Sequence, residues 1–148
     1  MASTLTKILI HVTFSTKNRE PLIPLEIEKD LCAYVGGICR GHSSALLSMG
    51  GVNDHVHFLV SLGKTVALSD LMLNIKRDSS SMMKKRTGPD FAWQQGYFGF
   101  SLGESGSQAL LSYIENQKTR HQHETFQEEV RKLCAKYNVA LDERYAWD

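Results

Sequence analysis

The residues best suited to chemistry lie in the stretch GVNDHVHFLV, Gly51 to Val60, where two imidazoles, His55 and His57, stand one residue apart inside an apolar run. Val56, Phe58, Leu59 and Val60 favour strands and Asn53-Asp54 is turn chemistry, so the stretch predicts a strand entered from a loop. On a strand, side chains at i and i+2 leave the same face, about 6.6 Å apart along the chain. Two imidazoles on one face can share one ion while Val56 and Phe58 turn into the core behind them. Any half-buried strand shows the same alternation, so on this stretch alone a structural strand stands beside a metal site.

A second constellation follows further along. Tyr113, Gln117 and His121 are each four residues after the last and form one stripe on a helix predicted over 108–123. A phenol and a carboxamide one turn apart can reach the same reaction centre. The amide oxygen can bind a hard cation that two histidines leave undercoordinated. A solvated helix face with a half-buried tyrosine gives the same spacing.

The elements that would position these residues come from a chain of ordinary globular composition. Its 148 residues suit one domain, 1–148, and 42% hydrophobic with 22% charged residues argues against disorder. A net charge of +1 neither announces nor excludes a polyanionic partner. The three cysteines, Cys32, Cys39 and Cys134, contain no C-x-x-C pattern. Cys32 and Cys39 are about 10.5 Å apart along one helix, too far to bridge, and read as small apolar residues of a reduced compartment. No apolar run approaches the ~18–20 residues of a membrane span, and the N-terminus lacks a signal-peptide layout, so the expected location is cytoplasmic, with no membrane partner.

Lys7–Ser15 alternates as a strand, and an apolar helical face runs from Leu25 to Cys39 with Gly41 as its stop. Ala45–Met49 is a short strand before the Gly50-Gly51 turn and the histidine strand. Thr65–Arg86 reads as a helix, Phe91–Ser101 as an extended aromatic segment, and Gly103–Ser107 as a hinge-like loop. The 108–123 helix and a last helix over Phe126–Tyr137 complete the chain. The order β-α-β-β-α-β followed by two helices predicts an α+β, ferredoxin-like antiparallel sheet with helices on one face plus additional C-terminal helices. Its usual strand order makes the first and third strands central neighbours, placing His11 and Thr13 on the face of His55 and His57. That face, not covered by the two crossover helices, is available for a site.

The segment from Lys64 to Arg86 carries Lys64, Lys76, Arg77, Lys84, Lys85 and Arg86, and with Lys118 and Arg120 it offers either a seat for a nucleic-acid backbone or a solvated cationic face. Phe91, Trp93, Tyr97 and Phe98 either stack on splayed bases or pack within the protein.

His55-Val56-His57 is the HUH signature, and Tyr113-Ile114-Glu115-Asn116-Gln117 resembles the catalytic helix of single-tyrosine HUH transposases of bacterial insertion sequences and their REP-associated relatives. Further matches arrive in the same order: HVTFSTKNR (His11–Arg19), NDHVHFLV (Asn53–Val60), IKRDSSSMMKK (Ile75–Lys85), FAWQQGYFGFS (Phe91–Ser101) and the closing FQEEVRKL…DERYAWD. The similarity covers almost the whole chain. One departure is Val52-Asn53 before Asp54, where the family commonly has Met-Pro.

The resemblance implies a DNA transposase, a metal-dependent single-strand endonuclease and strand transferase acting on single-stranded or hairpin DNA. It implies His55, His57 and Gln117 as ligands of a divalent metal ion, Mg²⁺ or Mn²⁺, and Tyr113 as the nucleophile that forms a 5′-phosphotyrosine. It also implies a homodimer and no nucleotide cofactor. His11 either supports the site or contacts DNA or is a buried, hydrogen-bonded histidine, and His121, on the Tyr113 stripe, either competes as a ligand or, with His123, forms a basic helix end touching phosphate or water. Three other readings remain: a domesticated REP-associated enzyme of the same chemistry, a catalytically silent hairpin-DNA-binding protein, and a small metal hydrolase that uses water in place of tyrosine.

Overall fold

β3 (His55–Ser61) lies inside a four-stranded antiparallel sheet of order β2-β3-β1-β4, with β1 (Leu9–Ser15) beside it and β2 (Ala45–Gly51) and β4 (Phe98–Leu102) at the edges. The computed structural model describes residues 2–148. Two helices, α1 (Glu28–Gly41) and α2 (Leu68–Thr87), cross between strands and bury Leu31, Val35, Leu71 and Ile75 against Val12, Phe14, Val56, Phe58 and Val60. The architecture is the expected α+β, ferredoxin-like one.

Register fixes which side chains share the second face. Thr13 pairs with His57, Ser15 with His55, and His11 lies between Leu59 and Phe100. Directly paired residues of an antiparallel ladder point to the same side, so His11, Thr13, Ser15, His55 and His57 share a face. All are buried, at 0–1% exposure.

Here the expectation of an uncovered face fails. Three C-terminal helices follow the sheet: α3 (Ser107–Glu115), α4 (Gln117–Arg120) and α5 (Phe126–Lys136). Ile114 of α3 is buried with Leu9 and Leu59, and Phe126, Val130, Leu133 and Cys134 of α5 with Phe100. Apolar sheet residues interleaved with the histidines gave these helices something to bury against. The site is therefore interior.

The long helix expected over 108–123 is broken. Asn116 leaves helical geometry at φ −94°, ψ 15°, its N–H still bonded to the Ser112 carbonyl at 3.0 Å. Asparagine is a poor helix former because its amide competes for backbone partners. The extended aromatic segment also differs from expectation, since regular pairing with β1 begins only at Phe98 and the isolated Thr16–Trp93 bridge is all that precedes it. Lys76 holds that segment by donating to the carbonyls of Gln94, Gln95 and Gly96 at 2.5, 2.7 and 2.6 Å. Burial draws its pKa down to about 8.

Gly50 marks where α3 meets the sheet. A Cβ there would stand 2.7 Å from the Ile114 carbonyl oxygen, so only glycine lets the tyrosine helix approach β2 this closely. The three cysteines are free thiols, Cys32 and Cys39 as their spacing predicts. No helix among the described residues is long and apolar enough to cross a membrane.

Candidate active site

The histidine face of the sheet and the C-terminal helices enclose a polar centre organised around Glu129, a carboxylate of α5 that is 1% exposed. Its Oε1 lies 2.8 Å from His57 Nε2, 2.8 Å from His121 Nε2 and 3.4 Å from His55 Nε2. Its Oε2 accepts from Gln117 Nε2 at 2.9 Å and from the Tyr113 hydroxyl. Gln117 Oε1 in turn accepts from His55 Nε2 at 3.1 Å. The four residues implied by the resemblance, His55, His57, Tyr113 and Gln117, are thus brought together around one point, in one chain.

The imidazoles are oriented from behind. His55 Nδ1 faces Asp54 Oδ1 at 2.7 Å, His57 Nδ1 faces His11 Nε2 at 2.8 Å, and His121 Nδ1 faces the Glu124 carbonyl at 2.7 Å. Each ring has its Nδ1 engaged outward and its Nε2 aimed inward. The His11 and His57 rings stack at 5.1 Å between centroids, and His11 lies edge-on to Tyr113 at 6.0 Å. The Arg120 guanidinium sits 4.4 Å over the Tyr113 ring.

Charge in this enclosure is arranged by the carboxylates. Burial alone would discharge His55, but its hydrogen bonds and charge pairing with Asp54 and Glu129 outweigh it and hold the pKa at about 9. For His57 burial prevails over Glu129, leaving a neutral ring with pKa about 4, and burial next to His57 takes His11 to about 3. Burial would raise Glu129, yet the bonds from His121, His55 and His57 keep it well below the usual carboxylate range. Tyr113 is pushed well above the ordinary phenol range by burial and by the charge of Glu129. Without a metal ion these surroundings favour an ionised Glu129, a protonated phenol and a charged His55.

These shifts give stability a pH optimum. His55 has a folded pKa above its unfolded value of about 6.5, so its contribution is full below that value and is lost as pH rises through 9. His57 and His11 are shifted the other way, so burying them neutral costs nothing above about pH 6.5 and progressively more as pH falls through 4 and 3. Urea unfolding of chelator-treated protein is expected to give a maximum near pH 6.5, with a loss of about 1 kcal/mol by pH 8; above pH 8 the lowered pKa of Lys76 acts in the opposite sense and offsets His55. A free energy that does not fall between pH 6.5 and 8 would show that His55 is not held as a cation.

A divalent ion fits the donor set. One ligand atom from each of His55, His57, His121 and Glu129 lies within 4.8 Å of the others, and the outward Nδ1 partners are those that steer metal-binding imidazoles. The centre opens on either side: a cleft of about 490 Å³ is bounded by Asp54, Lys118, His121 and Phe126, and a smaller cavity of about 250 Å³ by His11, Tyr113, Lys136 and Tyr137.

Sequence reasoning missed Glu129. A signal was present: it lies within the α5 stripe of Phe126, Val130, Leu133 and Cys134, an acid among residues that face the core. The Thr125 hydroxyl caps that helix by accepting from the Glu128 N–H at 3.1 Å, fixing the turn that carries Glu129. The cationic set proved partly structural. Arg86 pairs with Asp30, Lys118 with Glu28, Arg120 with Glu124 and Arg77 with Asp78, while Phe91 and Trp93 are core residues. His123 takes no part in the centre.

A search of the curated proteins finds no match. Among solved structures, the fold is similar to that of a protein assigned as a transposase from Deinococcus radiodurans R1, with a TM-score of 0.63 at 20% identity, covering 79% of this chain and 95% of that one. It is also similar to a REP-associated tyrosine transposase bound to a REP hairpin, with a TM-score of 0.61 at 14% identity, covering 82% of this chain and 74% of that one. At such identities these likenesses speak for the fold. The family described as "Transposase IS200 like" matches residues 4–117, from before the first strand through Gln117. On that match across most of its length, the chain belongs to the IS200-like transposase family.

Proposed function

We propose that the protein cleaves and rejoins single-stranded or hairpin DNA in transposition, through a covalent 5′-phosphotyrosine on Tyr113. The observation that carries this reading is the meeting of the Tyr113 hydroxyl with His55, His57 and Gln117 around one buried point in a member of a transposase family. The hairpin-bound structure of similar fold supports DNA as the substrate class.

In this reading Tyr113 Oη attacks phosphorus in line. The Tyr113 O–P bond forms as the phenol proton passes to solvent, the P–O3′ bond breaks, and the released 3′-oxygen takes up a proton from solvent. The phosphodiester energy is kept in the phosphotyrosine, so a 3′-hydroxyl can reverse the step without a nucleotide cofactor. A free phenol is only about 0.1% ionised at pH 7, and next to Glu129 Tyr113 is less ionised still. Glu129 Oε2 accepts the phenol hydrogen bond and thereby holds the nucleophilic oxygen in place until the proton leaves. His55, His57 and Gln117 would hold a divalent ion, Mg²⁺ or Mn²⁺, which would supply Lewis-acid polarisation of the scissile phosphate. Asp54 and His11 keep the two imidazoles aimed. A homodimer belongs to the proposal, each chain carrying its own Tyr113 beside its own His55 and His57.

The test is incubation of hairpin oligonucleotides with the protein and Mg²⁺ or Mn²⁺, followed by denaturing electrophoresis. A covalent protein–DNA adduct is expected from the wild type and none from Tyr113→Phe, with hairpin binding retained. Cleavage that persists in Tyr113→Phe would overturn the assignment of the nucleophile.

A further inference from the structure

We infer that His121 and Glu129 join His55 and His57 as direct metal ligands, making a three-imidazole, one-carboxylate site selective for first-row transition ions over Mg²⁺. The inference rests on the functional reading above for the location of the ion and extends it to the donor set, because neither residue lies within the segment matched to the family.

The first support is convergence. Glu129 Oε1 lies 2.8, 2.8 and 3.4 Å from the Nε2 atoms of His57, His121 and His55, so these four donors already surround a common centre. Gln117 is turned differently: its Oε1 faces His55 and its Nε2 faces Glu129, so the amide bridges two members of the set.

The second support is the outer partner of each ring. Asp54 carboxylate, His11 imidazole and Glu124 carbonyl each sit on an Nδ1, leaving Nε2 as the inward atom in all three histidines. A carboxylate or carbonyl behind the far nitrogen fixes tautomer and angle and raises ligand basicity, and His121 is furnished this way just as His55 is, while the His11 imidazole orients His57. A histidine serving only as a basic helix end has no need of it. The third support is burial: Glu129 is 1% exposed and bonded on both oxygens, and an anion enclosed with three imidazoles offsets part of the charge of a divalent ion. Imidazole donors suit Zn²⁺, Fe²⁺ and Ni²⁺, whereas Mg²⁺ prefers oxygen ligands and retained water.

High-spin Co²⁺ added to the full-length wild-type protein provides the test. Each Co²⁺-bound imidazole with a protected Nδ1–H gives one strongly shifted, solvent-exchangeable proton resonance. Three such resonances are expected, falling to two in His121→Asn; two in the wild type would overturn the role of His121. Titration calorimetry with Co²⁺ is expected to show at least a tenfold loss of affinity in Glu129→Gln and a smaller change in Gln117→Ala. Equal affinity of Glu129→Gln and wild type would overturn the carboxylate ligand. If Glu129→Gln fails to fold, Glu129→Asp and the wild-type resonance count still decide. Adduct formation on hairpin DNA, assayed in the same samples, separates the two readings. An adduct with only two bound imidazoles sinks the donor set alone, and three bound imidazoles without any adduct sinks the tyrosine chemistry alone.

Discussion

Glu129→Ala is expected to lower the stability of the metal-free protein by about 3–5 kcal/mol, the range found when one member of a buried charged network is removed. The carboxylate is the acceptor on which Tyr113, Gln117, His57 and His121 converge, and it is one of two anions flanking the His55 cation. Truncation leaves those donors facing a void in a buried enclosure, and His55 with Asp54 alone. The free rings can shed or share protons, which limits the damage, but the hydroxyl and amide cannot. Against a total stability of roughly 5–15 kcal/mol, such a loss is a large fraction. In a chain of this size it corresponds to a drop in Tm of roughly 10 °C. Urea unfolding at pH 6.5 in the presence of a chelator measures it, and a change below about 1 kcal/mol would mean that the sheet and α5 are held together without the carboxylate.

His57→Ala carries the second large effect, on the reaction instead of the fold. The ring is fully buried, its Nδ1 engaged by His11 and its Nε2 by Glu129, so no neighbouring side chain can take over its inward nitrogen. Loss of a metal-binding imidazole removes several kcal/mol of transition-state stabilisation, which is about a thousandfold in rate or more. Hairpin cleavage is expected to vanish at ordinary Mg²⁺ or Mn²⁺ concentrations. Hairpin binding and far-ultraviolet circular dichroism of the variant serve as controls for folding. Wild-type cleavage rates in His57→Ala would remove the residue from the metal site.

Much of the architecture could be read from local pattern because it is locally encoded. The alternation around His55 and His57, the apolar face from Leu25 to Cys39 and the turn glycines each act over a few residues, and their order suffices for the α+β topology. What could not be read was set by contacts between distant segments. Glu129 sits in FQEEV beside another glutamate, Glu128, and only the docking of α5 on Phe100 decides that one is buried and the other exposed. The break at Asn116 is similar: the four-residue spacing of Tyr113, Gln117 and His121 suits a continuous helix, and the broken one still delivers all three side chains to the same carboxylate. Lys76 counted among candidate cations for a polyanion until its three carbonyl partners, about 20 residues away, were seen. Residue type was legible; its employment depended on the tertiary fold.

The position of Glu129 in α5 also bears on how the centre is assembled during synthesis. His11 and His57 are 46 residues apart in sequence and His57 and Glu129 a further 72, so the centre is made of long-range contacts that form late in folding. Chains emerge N-terminal end first, at about 5–20 residues per second, so the sheet and the tyrosine helix are available to fold before α5 leaves the ribosome. Until then the imidazole face has no anion of its own beyond Asp54. The charge balance of the centre is established only when the last of its helices docks.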